Sequence, residues 1–265
     1  MSFYTIKTIY PWLHSIIDPL STCMYLLTGG KRALLYDTGY GIAPIMPVVR
    51  QITDLPLDVV LGHGHHDHVN GACQFDEVWI HEADKVLCLR HASRTARRRV
   101  LERMEVGGVA LPGDFEPEAY INRSINELRD LKIGQVFDLG GLSAEVVGME
   151  GHTAGSVGLL VRQKQTLLVS DAATPIMYMC LDESAPIDDY IAMLERTAAL
   201  PFDTFFWGHE DKPMLKKDWF EKFANTAKNI SVEKSEPFNA SYGIKGLLYK
   251  GEEAVILFRP DKLKS

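Results

Sequence analysis

Short apolar runs bounded by glycine, proline or aspartate dominate the chain, and most of them read as strands. Met1 to Pro11 alternates apolar and polar positions (Phe3, Thr5, Lys7, Thr8, Tyr10) and predicts a strand. Thr22 to Thr28 and Ala33 to Tyr36 predict a hairpin about Gly29-Gly30. A helix is expected over Ile42 to Gln51, then strands over Leu57 to Leu61 and Val78 to Ile80. From residue 82 to about 130 strand periodicity gives way to helix. That stretch is broken at Gly107-Gly108 and Pro112-Gly113 before a second helical segment near Tyr120 to Leu131.

The strand pattern then resumes. Gln135 to Leu139 and Leu142 to Met149 predict strands, and Val157 to Arg162 with Thr166 to Val169 a hairpin. Thr174 to Cys180 reads as an apolar loop. A helix over Ile187 to Ala199, a strand over Thr204 to Trp207, a helix over Leu215 to Asn229 and a hairpin of Ile244 to Tyr249 with Ala254 to Phe258 complete the pattern. Two blocks of strands with helices between and outside them predict an α+β fold.

The 265 residues are 46% hydrophobic and 24% charged, enough for a sizeable core, and no linker rich in Pro, Gly or Ser divides them. One domain over 1–265 is therefore expected, with a helical insertion at about 82–131. A net charge of −7 argues against a nucleic-acid partner. No apolar stretch resembles a signal peptide or a membrane span, and Cys23, Cys73, Cys88 and Cys180 form no C-x-x-C pair. A cytoplasmic protein with no membrane partner is the expectation.

The densest chemistry lies in Val60-Leu61-Gly62-His63-Gly64-His65-His66-Asp67-His68-Val69-Asn70-Gly71, directly after a strand. Gly62 and Gly64 let the backbone turn so that His63 and His65 point one way, toward one cation. Asp67 and His68, at the start of a helix, reach a second cation beside it. Imidazole and carboxylate ligands without thiolate suit zinc first, and also iron or manganese.

At these residues the chain resembles the metallo-β-lactamase superfamily, whose local mark is H-x-H-x-D-H. Three further positions match that family's remaining ligands: His152 in Gly151-His152-Thr153-Ala154-Gly155-Ser156, Asp171 in Val169-Ser170-Asp171, and His209 in Trp207-Gly208-His209-Glu210. The resemblance implies that His63, His65 and His152 hold one metal and Asp67, His68 and His209 the other, with Asp171 bridging them. Asp37, in Asp37-Thr38-Gly39, resembles the family's first motif and would orient the metal-site histidines. The alternative for Asp37 is a cap on the helix from Ile42. His66 and His81 have no ligand slot left and read as structural or pocket-lining. The implied architecture is a four-layer αββα sandwich.

The expected activity follows from two divalent metal ions. Such a pair acidifies a shared water, so metal-bound hydroxide is the expected nucleophile, and Ser156 and Cys73 are read as structural. Asp67 would also orient the attacking group. Tyr178 either donates a hydrogen bond to a developing oxyanion or packs in a Met/Tyr cluster. A small ester, lactone, thioester or phosphodiester is the expected substrate. Trp207-Gly208-His209-Glu210 resembles a stretch of the glyoxalase II branch, although the closing hairpin stands where those proteins carry a helical glutathione-binding domain. Alternatives within the resemblance are a mononuclear-iron persulfide dioxygenase and a metal-dependent nuclease. Arg90, Arg94, Arg97, Arg98, Arg99 and Arg103 either attract an anionic small-molecule substrate or form a solvated helix face with Glu102, Glu105 and Glu127. A homodimer is compatible with these expectations.

Overall fold

The structure is a computed structural model and describes residues 3–210, 213–239 and 244–264. The chain divides into two compact units, Met1–Glu145 with Gly208–Pro213, and Val146–Trp207 with Met214–Ser265.

The first unit is built on a seven-stranded sheet whose spatial order is its chain order. Four strands, β1 (Thr5–Tyr10), β2 (Leu13–Ile17), β3 (Cys23–Thr28) and β4 (Ala33–Tyr36), run antiparallel through tight turns. β5 (Leu57–Val60), β6 (Glu77–His81) and β7 (Glu127–Leu131) continue the sheet in parallel with β4. Each parallel step needs a crossover. These carry α1 (Met46–Val49), then α2 (His66–Val69), then α3 (Lys85–His91), α4 (Arg94–Val106) and α5 (Pro117–Ile121). Ile16, Met24, Leu26, Leu35, Val59 and Ile80 are buried in this unit's core.

Several elements differ from expectation for readable reasons. Of the strand expected over Met1 to Pro11, Met1 and Ser2 lie outside the described residues. The helix expected from Ile42 shrinks to α1, because Pro44 and Pro47 are tolerated only at a helix start. The insertion expected to be helical to Leu131 is helical only to Ile121. Glu127–Leu131 pairs in register with β6 instead, from Glu77↔Glu127 to His81↔Leu131, so sheet pairing overrides local propensity.

β8 (Val136–Asp138) pairs with the start of β9 (Ser143–Gly148) inside the first unit. The second unit continues from the end of β9 through β10 (Val157–Val161), β11 (Thr166–Ser170), β12 (Ile176–Met179), α6 (Ile187–Ala198), β13 (Thr204–Trp207), β14 (Met214–Lys216), α7 (Trp219–Lys228), β15 (Glu236–Asn239), β16 (Lys245–Lys250) and β17 (Val255–Phe258). β10 and β11 are antiparallel, β11 and β13 parallel. A further sheet has the order β12-β17-β16-β15. The stretch read as an apolar loop is thus a strand: Met177 and Met179 face the core, Ile176 and Tyr178 face outward, and β12 runs parallel to β17. Tyr190, Phe205, Phe220, Phe223 and Phe258 dominate this unit's core.

The mixed α and β content in several sheets agrees with the α+β expectation. Among the described residues no helix is long and apolar enough to cross a membrane.

Candidate metal centre

The loops after β4 and β5 leave the carboxyl ends of neighbouring parallel strands, the place where open sheets of this kind gather functional groups. After β5 the chain passes through Gly62 and Gly64, and His65 adopts an extended conformation at the head of α2. His63 and His68 are fully buried, His65 nearly so. His63 Nε2 and His65 Nδ1 are 3.0 Å apart. His68 Nε2 lies 3.4 Å from His209 Nε2, and Asp67 Oδ2 lies 3.8 Å and 3.6 Å from those two nitrogens. His209 reaches this group because residues 208–210 pair with the start of β3: Cys23 N–H donates to Gly208 O and Glu210 N–H to Ser21 O.

Asp37 stands behind His68. Its Oδ2 is 2.9 Å from His68 Nδ1, and its Oδ1 accepts the Gly62 N–H at 2.7 Å. With Nδ1 donating to a carboxylate, His68 turns its Nε2 toward His209 and Asp67. The helix-cap alternative for Asp37 is not realised, since α1 is preceded by Ile45 at its N-cap and has no side-chain cap hydrogen bond.

In the second unit, His152 Nδ1 is 2.8 Å from the main-chain oxygen of Tyr178. A carbonyl only accepts, so Nδ1 carries a hydrogen and Nε2 is the nitrogen turned the other way. That Nε2 lies 3.9 Å from Asp171 Oδ2. Ser184 Oγ donates to the His152 carbonyl at 3.0 Å and steadies the same loop. Ser156 and Thr153 are buried with their hydroxyls 2.8 Å apart, and Ser156 Oγ accepts the Thr153 N–H. The serine hydroxyl is therefore spent on its own turn.

Backbone strain gathers at these residues. Five described non-glycine residues have positive φ: Ser21, Asp37, Gln165, Ser170 and Glu210. Asp37 is a site residue itself, Ser170 precedes Asp171, and Glu210 follows His209. A left-handed conformation costs an ordinary residue on the order of 1–3 kcal/mol, and such conformations concentrate where a side chain must be aimed.

The donor chemistry fits divalent cations. Imidazole nitrogens 3.0 Å and 3.4 Å apart are close to the roughly 3.3 Å separating neighbouring nitrogens on a four-coordinate zinc ion. Asp67 beside His68 and His209 in the first unit, and Asp171 beside His152 in the second, are hard anionic ligands of the kind that accompany imidazole at such centres.

Sequence reasoning missed Asp84 and His91. Asp84 Oδ2 accepts the Gly64 N–H at 2.7 Å, and His91 Nδ1 accepts the His66 N–H at 3.2 Å. In the sequence Asp84 looks like an ordinary acid at a helix start and His91 like a surface residue of the arginine-rich stretch. Asp18 was also missed. It is buried, its Oδ1 accepts the Leu20 and Thr22 N–H groups, and burial, helped by the Asp67 charge, raises its pKa to about 6 against the pull of those hydrogen bonds and His209.

His66 packs near Tyr40 and His91, and burial lowers its pKa. His81 accepts the Ala83 N–H as a local cap, and Cys73 donates to Asn70 O within its own turn. The arginines do not share one face. Arg97 is fully buried, donating to Ala92 O and Asn70 O and lying 4.9 Å over the Tyr120 ring, while Arg94, Arg98 and Arg99 are exposed.

Residues 17–209 match the metallo-beta-lactamase superfamily, and the chain belongs to that superfamily. Its members bind divalent metal ions. Acyl-coenzyme A thioesterase MBLAC2 of Gallus gallus is 27% identical over 186 residues, covering 67% of this chain and 66% of that protein. Hydroxyacylglutathione hydrolase GloC of Haemophilus influenzae is 26% identical over 156 residues, covering 56% of this chain and 65% of that protein. The chain thus spans about two thirds of the length of these curated relatives. Among solved structures, the metallo-beta-lactamase superfamily protein ST1585 from Sulfolobus tokodaii shares the fold with a TM-score of 0.56 at 19% identity, over 87% of this chain and 90% of that one.

Proposed function

We propose that this protein is a dinuclear metal-dependent hydrolase of acyl thioesters, with coenzyme A conjugates as its substrate class. The ligands of the proposed centre are His63, His65 and His152 for one ion, Asp67, His68 and His209 for the other, and Asp171 between them, with zinc the preferred metal. The observation that carries this reading is the orientation of the imidazoles. His68 and His152 are each tied through Nδ1, one by Asp37 and one by the Tyr178 carbonyl, so that each offers its Nε2. Named relatives that act on thioesters support the substrate class. The superfamily match runs through both units, which supports reading 1–265 as one domain.

Bound divalent ions supply Lewis acidity and let water attack near neutral pH. The chain's own residues do the rest. Asp67 orients the attacking group, and the Tyr178 hydroxyl, on a partly exposed side chain, donates to the oxyanion that develops on the thioester carbonyl. The exposed Arg94, Arg98 and Arg99 favour a polyanionic small molecule over a neutral one. The proposed setting is the cytoplasm, without nucleic-acid or membrane partners.

The test is a substrate panel on metal-quantified protein: acyl-coenzyme A, hydroxyacylglutathione, a lactone, a phosphodiester and a β-lactam, with thiol release followed for the thioesters. The proposal expects the highest kcat/KM on acyl-coenzyme A. A preference for the phosphodiester or lactone by tenfold or more sinks the thioester reading.

A further inference from the structure

We propose that Asp84 and His91, the two ends of one short helical segment, are positioning residues that clamp the ligand loop from behind and set the aim of His63 and His65. The inference rests on the metal-ligand reading of that loop and adds residues outside it.

Three N–H groups at alternate positions of the loop each meet a side chain from outside the loop. Gly62 donates to Asp37 Oδ1 at 2.7 Å, Gly64 to Asp84 Oδ2 at 2.7 Å and His66 to His91 Nδ1 at 3.2 Å. The chain bends at Gly62, His63 and Gly64 and is extended at His65 before α2 begins. Holding the amides of 62, 64 and 66 fixes the course of these bends, and with it the directions of His63 and His65, which lie between the held amides. The loop has no ladder of its own in which to spend these donors, and a buried amide without an acceptor costs about 1–3 kcal/mol.

The last two acceptors come from a single piece of chain. Asp84 is buried at the entry of α3 and His91 is its last residue. Between them, Leu87 and the Cys88 backbone press on Gly64 so closely that a Cβ there would lie 2.9 Å from Cys88 N and from Leu87 Cγ. The segment thus touches the loop at three consecutive places: an acceptor, a steric seat and another acceptor. His91 also does the work of an absent cap, because His65 at the head of α2 makes no side-chain cap hydrogen bond. Since the His66 amide must donate, His91 Nδ1 is the bare nitrogen of its ring.

The test compares His91→Leu with His91→Asn, and Asp84→Leu with Asp84→Asn, in the full chain. Leucine removes the acceptor in each case, and asparagine keeps an oxygen at the same reach. Two quantities are read: hydrogen exchange at the Gly64 and His66 amides in metal-free protein, and zinc affinity by competition with a chromophoric chelator. Thermal unfolding checks the fold. Each leucine variant should speed exchange at its own amide by roughly tenfold or more and weaken zinc binding by roughly tenfold or more, and each asparagine variant should restore both.

Unchanged exchange in the leucine variants overturns the clamp. Faster exchange with wild-type zinc affinity overturns the positioning role. A leucine variant that does not fold shifts the decision to its asparagine partner, where failure to restore wild-type exchange and affinity overturns the inference. If wild-type protein binds no zinc, the ligand reading of the loop fails, and the exchange comparison alone still decides whether Asp84 and His91 hold it.

Discussion

The Nδ1 of His152 lies 2.8 Å from the main-chain oxygen of Tyr178, so the backbone of β12, and not the tyrosine side chain, fixes which nitrogen this histidine presents to Asp171. The two ends of Tyr178 therefore separate. Tyr178→Phe is expected to leave metal content and thermal stability unchanged while lowering kcat on an acyl thioester on the order of a hundredfold, the usual cost of one lost oxyanion donor. Steady-state kinetics with parallel metal quantification checks this, and an unaltered kcat removes the phenol from the chemistry.

Asp37 holds His68 and the Gly62 amide at once. Asp37→Ala should weaken metal binding by about 10–100-fold. Chelator competition measures it. Asp37→Ala protein with wild-type affinity contradicts the orienting role.

Asp171→Ala should lose one equivalent of metal and nearly all turnover, well beyond any effect on folding. Elemental analysis beside an unfolding curve separates the two. Retention of two metals with full activity rejects the bridging assignment.

Asp18 gives a pH signature. Its carboxyl is shifted from an ordinary 3.8 to about 6, chiefly by burial, so the folded state prefers it protonated. The stability associated with that proton is complete below about pH 4 and is lost as pH rises through about 6. A displacement of this size corresponds to at most roughly 3 kcal/mol. Metal-free wild-type protein should therefore lose stability between pH 4 and pH 7 relative to Asp18→Asn, measured by denaturant unfolding across pH. Parallel curves for the two proteins contradict the shift.

Arg97 and Arg98 are neighbours with opposite environments. Arg97→Ala strands two carbonyl acceptors, Ala92 O and Asn70 O, and empties a packed volume beside Tyr120. It should cost about 2–4 kcal/mol, against less than about 0.5 kcal/mol for exposed Arg98→Ala. Chemical denaturation of both decides it.

The legible parts of the protein are those written in local spacing. The run from His63 to His68 announces its chemistry because a strand, two glycines and a helix start are contiguous, and Asp37 is legible for the same reason, at the end of β4. Asp84 and His91 are not, because their partners are backbone amides about twenty residues upstream, and an amide carries no sequence label. β7 and β12 were misread because what makes them strands is a distant partner: β6 for one, β17 for the other. Spacing on α4 likewise gives no sign that Arg97 turns inward while Arg94 and Arg98 turn out, since packing against Asn70 and Tyr120 decides it.

The central claim is tested most directly by titrating zinc into chelator-stripped protein while following hydrolysis of an acyl-coenzyme A. The account predicts no turnover in the stripped protein and full recovery that saturates at two equivalents per chain. Turnover that persists without metal, or two equivalents bound with no thioester hydrolysis, contradicts it.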